Sequence, residues 1–340
     1  MYCNCDNPFE SNFLARESPF GARKPGFRGI NAAFAELFMI HFIKDVLKER
    51  EVIESAIKKY GYAPEHHFGW YLAQGNKSYK DVFMVLGGGE GLMTIEEKAK
   101  KKITVFSSPL APADLRITAL LELMEKVFKS KETRRIEFEL EEPLYESFIS
   151  QLPGNIKANK INYTLVWPVH DLSKFDPSLP GKEWKTLRKV RNTFYKSHKV
   201  EVLDTKEYKD KKSLKLIVDT WHKKRGGKDM THRYKYHNFI DSNFMGAKEA
   251  RVMMVDGKPS GINAGWMTPN SDQFYGAIGI HNYSANDLGD ILYLEDLEFL
   301  KSKGYKFANM GGGEEALTNF KKKFKPSYYY KTHTFLVVKK

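Results

Sequence analysis

The stretch YKFANMGGGEEALTNFKKKFKPSYYYKTHTFLVV, which spans residues 305–338, decides the fold of this chain. Its pattern predicts a short strand at 305–309, a tri-glycine turn at 311–313, a helix at 314–324 and a closing aromatic strand at 328–338. Two phenylalanines of the helix lie four residues apart and would bury one of its faces. Lysines cluster near its C-terminal end, where the helix dipole favours cations.

The tri-glycine turn is the part of this unit best suited to bind a ligand. Glycine allows the backbone to approach a ligand closely, and the helix start beyond the turn directs free N–H groups at negative charge. Two lysines follow on the helix, where they could contact a nucleic-acid end or a developing oxyanion. The residues predicted here to bind substrate or donor are Asn309, Gly311, Gly312, Gly313, Lys321 and Lys322.

This stretch resembles the last strand–helix–strand unit of the acyl-CoA N-acyltransferase (GNAT) fold. More narrowly, it resembles the branch formed by the C-terminal domain of phosphatidylglycerol lysyltransferases and by the FemABX peptidyltransferases. The matching features are Asn309, the glycines 311–313, the acids 314–315, the lysines 321–322 and the tyrosines 328–330. The resemblance implies two GNAT-like lobes and an aminoacyl group taken from aminoacyl-tRNA.

A second segment strengthens the resemblance. The stretch VWPVHDLSKFDPSLPGKEWKTLRKVRNTFYKSHKVEVL, residues 166–203, is similar to the entry of the lysyltransferase-type domain. There a short Asp-Leu turn and a Gly-Lys step precede a helix with an Arg-Asn pair, matched here by Arg191 and Asn192. The resemblance covers about 165–340, and over 30–165 it depends only on the order of the elements.

The order of elements predicts a duplicated α+β unit. Strand, helix, strand, helix and strand follow one another at 103–167 and again at 273–338. We therefore expect two tandem GNAT-like lobes, each a mixed, mostly antiparallel sheet flanked by helices. The predicted organisation is an extended arm at 1–29, an N-terminal lobe at 30–167, a linker at 168–183 and a C-terminal lobe with the active cleft at 184–340.

Composition limits the class of protein. The chain has 340 residues, about right for two domains, and its 41% hydrophobic content suits a globular protein. Its formal net charge of +13 favours polyanionic partners such as nucleic acid, although a lysine-rich surface alone would give the same value. Cys3 and Cys5 are too close for an ordinary disulfide, and no metal-ligating cluster accompanies them. We expect a cytoplasmic protein without a membrane span or a bound metal.

The segment after the predicted strand 273–280 argues against coenzyme A. An ordinary acetyl-CoA site has an R/Q-x-x-G-x-G/A loop whose N–H groups hold the pyrophosphate. Here the segment reads HNYSANDLGDIL, and Gly289 is its one glycine. The arginine and the glycine spacing are missing, which favours aminoacyl-tRNA as the co-substrate and leaves acyl-CoA as the alternative.

A basic and aromatic segment, WHKKRGGKDMTHRYKYHNF at 221–239, indicates nucleic-acid binding. Basic groups neutralise phosphates and aromatic rings stack on unpaired bases, although a solvated charged loop would have the same composition. Together with the basic helix around 184–199 it predicts a continuous basic surface. The residues predicted to bind nucleic acid are Arg188, Arg191, Asn192, Lys223, Lys224, Arg225, Lys228, Arg233 and Lys235.

Three side chains are the candidates for proton transfer. Glu314 and Glu315 could accept a proton from an acceptor amine, but acids at a helix start also have a purely structural role. His281 follows the presumed fourth strand, where a general base would be placed, although a lone histidine is more often structural. Asn263 and Tyr275 on neighbouring strands are further candidates for donor binding, and Tyr275 could equally be a core residue.

Three functions are compatible with these features. The first is transfer of an aminoacyl or acyl group from an activated donor, aminoacyl-tRNA, onto an amine or hydroxyl of a small molecule, a peptide or a nucleic acid. The second is acyl-CoA-dependent N-acylation of a small amine or a nucleic-acid base. The third is a non-catalytic nucleic-acid-binding module. GNAT-type transfer requires the alignment of an amine with an activated carbonyl and stabilisation of the oxyanion.

Overall fold

A computed structural model describes residues 40–86, 89–130, 132–226 and 231–340. The 1–29 arm, both cysteines and Lys228 lie outside the described residues. The helices are α1 (Arg50–Tyr60), α2 (Phe68–Leu72), α3 (Arg116–Lys129), α4 (Glu142–Ser150), α5 (Lys185–Ser197), α6 (Lys211–Arg225), α7 (Arg233–Asp241), α8 (Leu288–Ser302) and α9 (Glu315–Lys322). None of these helices is long and apolar enough to cross a bilayer.

The strands form one mixed sheet. They are β1 (His41–Ile43), β2 (Lys80–Val85), β3 (Gly91–Glu97), β4 (Lys102–Val105), β5 (Arg135–Glu141), β6 (Ile156–Ala158), β7 (Tyr163–Asp171), β8 (Val200–Asp204), β9 (Glu249–Val255), β10 (Lys258–Met267), β11 (Gln273–His281), β12 (Phe307–Asn309) and β13 (Tyr328–Lys339). Their order is β1-β2-β3-β4-β5-β13-β7-β12-β11-β10-β9-β8, and β6 also pairs with β13.

The duplicated order of elements predicted from the sequence is confirmed apart from one added strand. The first half contains β4-α3-β5-α4-β6-β7, in which the short β6 is the addition, and the second half contains β11-α8-β12-α9-β13. In each half the first two strands of this order pair in parallel, β4 with β5 and β11 with β12. The protein is therefore an α+β chain built from two similar units.

The last strand of each half pairs with the other half. β13 pairs with β5 through residues 332–338 and with β7 through residues 328–334. β7 in turn pairs with β12. This exchange brings side chains of both halves together at the middle of the sheet. Because β7 continues to Asp171, the predicted linker at 168–183 begins inside a strand, and the division into lobes stays a prediction.

The hydrophobic cores also cross between the halves. In the first half, α3 and α4 cover β5, with Phe138 and Phe148 among the fully buried side chains. Phe335 of β13 completes that core. In the second half, α6 and α7 cover β10 and β11, and Trp70 of α2 joins this core from the first half. Burial of such large aromatic side chains stabilises the junction by about 1.5–3 kcal/mol each.

The strands β11 and β12 part, as the predicted cleft requires. They pair only from Gln273↔Phe307 to Tyr275↔Asn309, and then the chain leaves β12 at Met310. β11 continues to His281 along β10. A bulge shifts the register of this pairing between Ala264↔Ile278 and Gly265↔Gly276. Bulges bend a strand and end regular pairing, so the bulge and the short β12 together open the sheet at this point.

Three predicted elements are wrong in type or extent. Apolar spacing predicts one helix over 31–59; residues 31–39 lie outside the described part of the chain, and in the remainder residues 41–43 form β1 and α1 spans Arg50–Tyr60. The apolar run at 70–72 predicts a strand, but these residues belong to the short helix α2. The His67 side chain caps this helix by accepting a hydrogen bond from Trp70 N at 3.0 Å. A short apolar run is compatible with a strand or a helix, and here the His67 cap favours the helix. The segment 233–241, interpreted as part of a basic loop, is the helix α7.

Candidate active site at the junction of the halves

The tri-glycine turn is held by β7 and α9. Gly313 N donates to Val166 O at 3.0 Å, and Val166 N donates to Gly313 O at 2.9 Å. The buried Lys321 ammonium donates to Met310 O and Gly311 O, both at 2.7 Å. Gly311 has φ +79°, which a side chain would strain. Lys321 therefore holds the turn in place by binding two of its backbone carbonyls.

Gly312 lies directly against the indole of Trp167. A Cβ at this position would meet Trp167 ring atoms at 2.6, 2.9 and 3.0 Å. Gly312→Ala is therefore expected to displace the turn or the indole, with a destabilisation of about 1–3 kcal/mol, as in other overpacked sites. Urea denaturation measures the change. Gly154→Ala is the matched control, because a Cβ at Gly154 meets nothing within 4 Å. Equal stability of the two variants would contradict the close packing.

A chain of hydrogen bonds links Trp167 to a carboxyl group on β5. Trp167 Nε1 donates to Thr332 Oγ1 at 2.9 Å, and Thr332 Oγ1 donates to Glu139 Oε1 at 2.7 Å. The Trp167 ring also stacks on Tyr330, with centroids 5.6 Å apart. Asn309 Nδ2 donates to the Tyr330 hydroxyl at 2.8 Å. The glycine turn and Glu139 therefore belong to one connected, preorganised site.

Glu139 shares its surroundings with Glu65, from the loop before α2, and with Lys235 of α7. Burial and repulsion by Glu139 raise the pKa of Glu65 to about 8. Burial also raises the pKa of Glu139. Burial lowers the pKa of Lys235, and attraction to the carboxylates of Glu65 and Glu139 opposes that decrease. The three residues are intermediate in exposure as whole residues, while burial of their charged groups is the largest cause of each pKa shift, and we call the polar cluster that they form the recess. Within it, Glu65 can exchange a proton near neutral pH.

Two more polar side chains border the recess. Burial raises the pKa of Asp81 to about 8, and nearby Lys235 opposes that shift. The indole N–H of Trp70 approaches the Glu65 carboxyl and lowers its pKa, yet it makes no hydrogen bond of normal geometry with any described residue. The recess thus holds carboxyls, an ammonium and an indole N–H directed at Glu65.

The predicted catalytic residues lie in different surroundings. Glu314 and Glu315 are exposed at the start of α9, in the positions expected of helix-terminal charges. Burial lowers the pKa of His281 to about 4, so this histidine is neutral at physiological pH. Its Nδ1 accepts a hydrogen bond from Tyr283 N at 3.3 Å. Their catalytic roles stay predictions.

The predicted donor-binding residues separate into two groups. Asn309 and the three glycines lie at the turn described above. Asn263 is buried and donates to Leu292 O at 3.2 Å, and Tyr275 is buried in the second-half core between Trp167 and Trp266. Lys322 is exposed and donates to Asn319 Oδ1 at 3.1 Å. Tyr275 therefore lies in a hydrophobic core, which was the alternative to a role in donor binding.

The predicted nucleic-acid-binding residues fall on three helices. On α5, Arg188 donates to Gly181 O at 2.7 Å and Arg191 pairs with Glu298 at 3.0 Å, while Asn192 is exposed. The exposed Lys223 and Lys224 end α6 with Arg225, whose guanidinium lies 5.9 Å from the Trp221 ring centroid. On α7, Arg233 pairs with Asp219 at 3.3 Å, and Lys235 enters the recess. Both α5 arginines therefore brace neighbouring segments of the second half.

Two pockets lie away from the recess and the glycine turn. A pocket of about 460 Å³ borders α1 at Glu51 and Lys59, and one of about 270 Å³ lies between Thr205 and Phe244. Neither includes a residue of the recess or the glycine turn. Within the described part of the chain, no group of three or more potential metal ligands occurs. The recess beside the turn is thus the candidate active site.

Comparison with solved structures shows the same fold in three proteins of related architecture. The C-terminal domain of a putative lysylphosphatidylglycerol synthetase from Agrobacterium fabrum is 15% identical, with a TM-score of 0.61 over 86% of this chain and 92% of that one. FemX is 10% identical, with a TM-score of 0.59 over 87% and 96%. A tandem GNAT protein of the clavulanic acid pathway is 10% identical, with a TM-score of 0.53 over 88% and 98%.

No protein-family model and no curated protein sequence matches this chain. The likeness to the solved structures is therefore one of fold, and it extends over both halves. It confirms the fold-level resemblance read from residues 305–338. This protein has the tandem GNAT-like fold that the lysylphosphatidylglycerol synthetase domain and FemX also have.

Proposed function

We propose that this protein transfers an aminoacyl group from aminoacyl-tRNA to an amine or hydroxyl acceptor in the recess between the halves. The observation that carries the proposal is the pair Glu65 and Glu139 beside Lys235, connected through Thr332 and Trp167 to the glycine turn. The fold shared with the lysylphosphatidylglycerol synthetase domain and FemX supports the same reaction class.

The proposed chemistry follows from the charges of the recess. The acceptor nitrogen or oxygen attacks the ester carbonyl carbon and must lose a proton as the new bond forms. Glu65 takes this proton, because a carboxyl whose pKa is about 8 exchanges protons readily near neutral pH. The Lys235 ammonium stabilises the oxyanion of the tetrahedral intermediate. When the ester C–O bond breaks, the departing ribose oxygen receives the proton.

The choice of donor depends on charge and on the segment after β11. The net charge of +13 and the exposed lysines at the end of α6 favour a polyanion as large as tRNA. The segment 281–292 lacks the arginine and glycine spacing of an ordinary pyrophosphate-binding loop. Here His281 fills the space beside Gly289, where a Cβ would meet its ring at 2.8 Å. These features support aminoacyl-tRNA over acyl-CoA.

Charged tRNA is expected to bind saturably and to lose affinity steeply as salt rises, because phosphate contacts release counterions. Filter binding with charged tRNA, deacylated tRNA, DNA and heparin measures the preference. Mass spectrometry of reactions with added amines then detects transfer. Equal affinity for all four polyanions, without transfer, would contradict the proposal and indicate a binding module. A melting temperature raised by acetyl-CoA and unchanged by tRNA would indicate an acyl-CoA N-acyltransferase.

A further inference from the structure

Three aromatic rings from both halves cluster beside the recess. Tyr79 precedes β2, and His232 and Tyr234 lie at the start of α7. The centroids of Tyr79 and Tyr234 are 6.1 Å apart, those of His232 and Tyr234 are 5.6 Å apart, and those of Tyr79 and His232 are 6.2 Å apart. Their planes differ by 15° to 32°. Three nearly equal separations describe a compact triangle of near-parallel rings and not a single column.

The cluster is held rigidly before any ligand binds. The Tyr234 hydroxyl donates to Gln74 O at 3.0 Å. Asn238, one turn further along α7, donates to Ala73 O at 3.1 Å and to Gly75 O at 2.8 Å. Asn76 Oδ1 accepts from Tyr79 N at 3.0 Å and so fixes the turn that carries Tyr79. Rings that are already oriented lose little entropy when a flat ligand stacks on them.

The cluster lies near cations that the phosphates of a flat ligand could contact, and also near Glu97, which pairs with Lys100 at 2.9 Å. His232 is exposed, and Lys100, His222 and Lys235 all lie close enough to act on its charge. Lys100 is exposed and also lies near the Tyr79 hydroxyl. Tyr234 is followed directly by Lys235, whose ammonium enters the recess. A base on the rings would therefore have cations for its phosphates and the reacting groups one residue away.

We propose that Tyr79, His232 and Tyr234 form a platform on which an unpaired base at the 3′ end of RNA stacks, so that the terminal ester enters the recess. The proposal assigns a docking position for the donor and rests on the proposed function. Aromatic rings accept any base by stacking, and neighbouring lysines hold the backbone. Bases inside a duplex are stacked on both faces, whereas bases of a single strand are free to stack on the rings, so the platform favours single-stranded RNA.

Fluorescence anisotropy with a short labelled single-stranded RNA ending in CCA tests the platform without requiring transfer. Tyr79→Ala and His232→Ala are each expected to weaken binding about tenfold, since one stacked base contributes roughly that factor. Tyr283→Ala is the matched control, because Tyr283 is an exposed tyrosine whose ring also contacts a histidine ring, at 4.2 Å.

The outcomes separate the platform from the proposed function. Wild-type affinity in both Tyr79→Ala and His232→Ala, or equal binding of duplex and single-stranded RNA, would overturn the platform. Loss of oligonucleotide binding in these variants supports it, even if charged tRNA gives no transfer, in which case only the proposed function fails. If transfer occurs, the two variants should raise KM for charged tRNA and leave kcat nearly unchanged. Thermal melting verifies that each variant is folded. If Tyr79→Ala is not folded, Tyr79→Leu replaces it.

Discussion

Replacing Glu65 by glutamine is expected to lower the transfer rate by about 10²–10⁴-fold, the range typical of a lost general base. Glutamine has a similar size but cannot accept the proton of the acceptor. Product formation from charged tRNA at saturating acceptor measures the loss. Glu125→Gln is the matched control, because Glu125 is an exposed glutamate on α3 paired with Lys129. Loss of activity in Glu314→Gln with Glu65→Gln unaffected would place the base at the glycine turn.

The same substitution should change the pH dependence of the rate. The ionised form of Glu65 accepts the proton, so the wild-type rate should rise with pH through the pKa of about 8. Glu65→Gln should lack this rise. A rise that persists unchanged in the variant would assign the titrating group to another residue, such as Asp81, whose pKa burial also raises to about 8.

Stability gives an independent reading of the Glu65 pKa, because it needs no substrate. The folded protein holds the Glu65 proton more tightly than the unfolded chain, whose pKa is near the ordinary value of 4.5. Its contribution to stability is therefore full below about 4.5 and is lost as the pH rises through about 8. The wild type should lose stability over this range relative to Glu65→Gln. Parallel stability curves would contradict the burial of this carboxyl.

Replacing Lys321 by methionine is expected to destabilise the protein by about 2–4 kcal/mol, because two hydrogen bonds from a buried charged donor are lost and carbonyls remain buried. Those carbonyls belong to Met310 and Gly311, so the turn should shift and transfer should slow as well. Urea denaturation gives the free energy of unfolding, and methionine retains most of the side-chain volume.

The neighbouring lysine is the control for this prediction. Lys322 is exposed, and its ammonium donates to Asn319 Oδ1 on the same helix. Lys322→Met should therefore change stability by at most about 0.5 kcal/mol, as is usual for surface positions. Similar losses in the two variants would mean that general helix charge, and not the anchored turn, accounts for the effect.

Local patterns predicted much of the fold and part of the candidate site. The glycine turn and Asn309 were predicted to bind the donor and Lys235 to bind nucleic acid; all lie at the candidate site, and their roles stay predictions. The period of apolar residues predicts helices at 115–128, 211–224 and 289–303, each within one residue of the observed bounds of α3, α6 and α8. These features depend on residues close together in the chain, which is why they could be predicted.

The acids of the recess were missed for a different reason. Glu139 belongs to β5, where Ile136, Phe138 and Leu140 face the core and the alternating glutamates are expected in solvent. Their face is instead covered by the other half, and Glu139 bonds Thr332, which is 193 residues away in the sequence. The duplicated order of elements was the one signal that could have indicated burial of Glu139. When two such units join, the second face of a central strand such as β5 is covered by the other unit.

The sequence by itself determined the types and the order of the helices and strands and the chemistry of the turn. Periodicity, capping residues and glycines act over a few residues, so the same local rules hold wherever the segment lies. Only the tertiary structure decided which strands pair across the halves, that Glu65 and Glu139 share a recess with Lys235, and that Tyr79 meets Tyr234. Pairing partners and proton affinities depend on neighbours that are distant in sequence and on burial, and both exist only once the chain has folded.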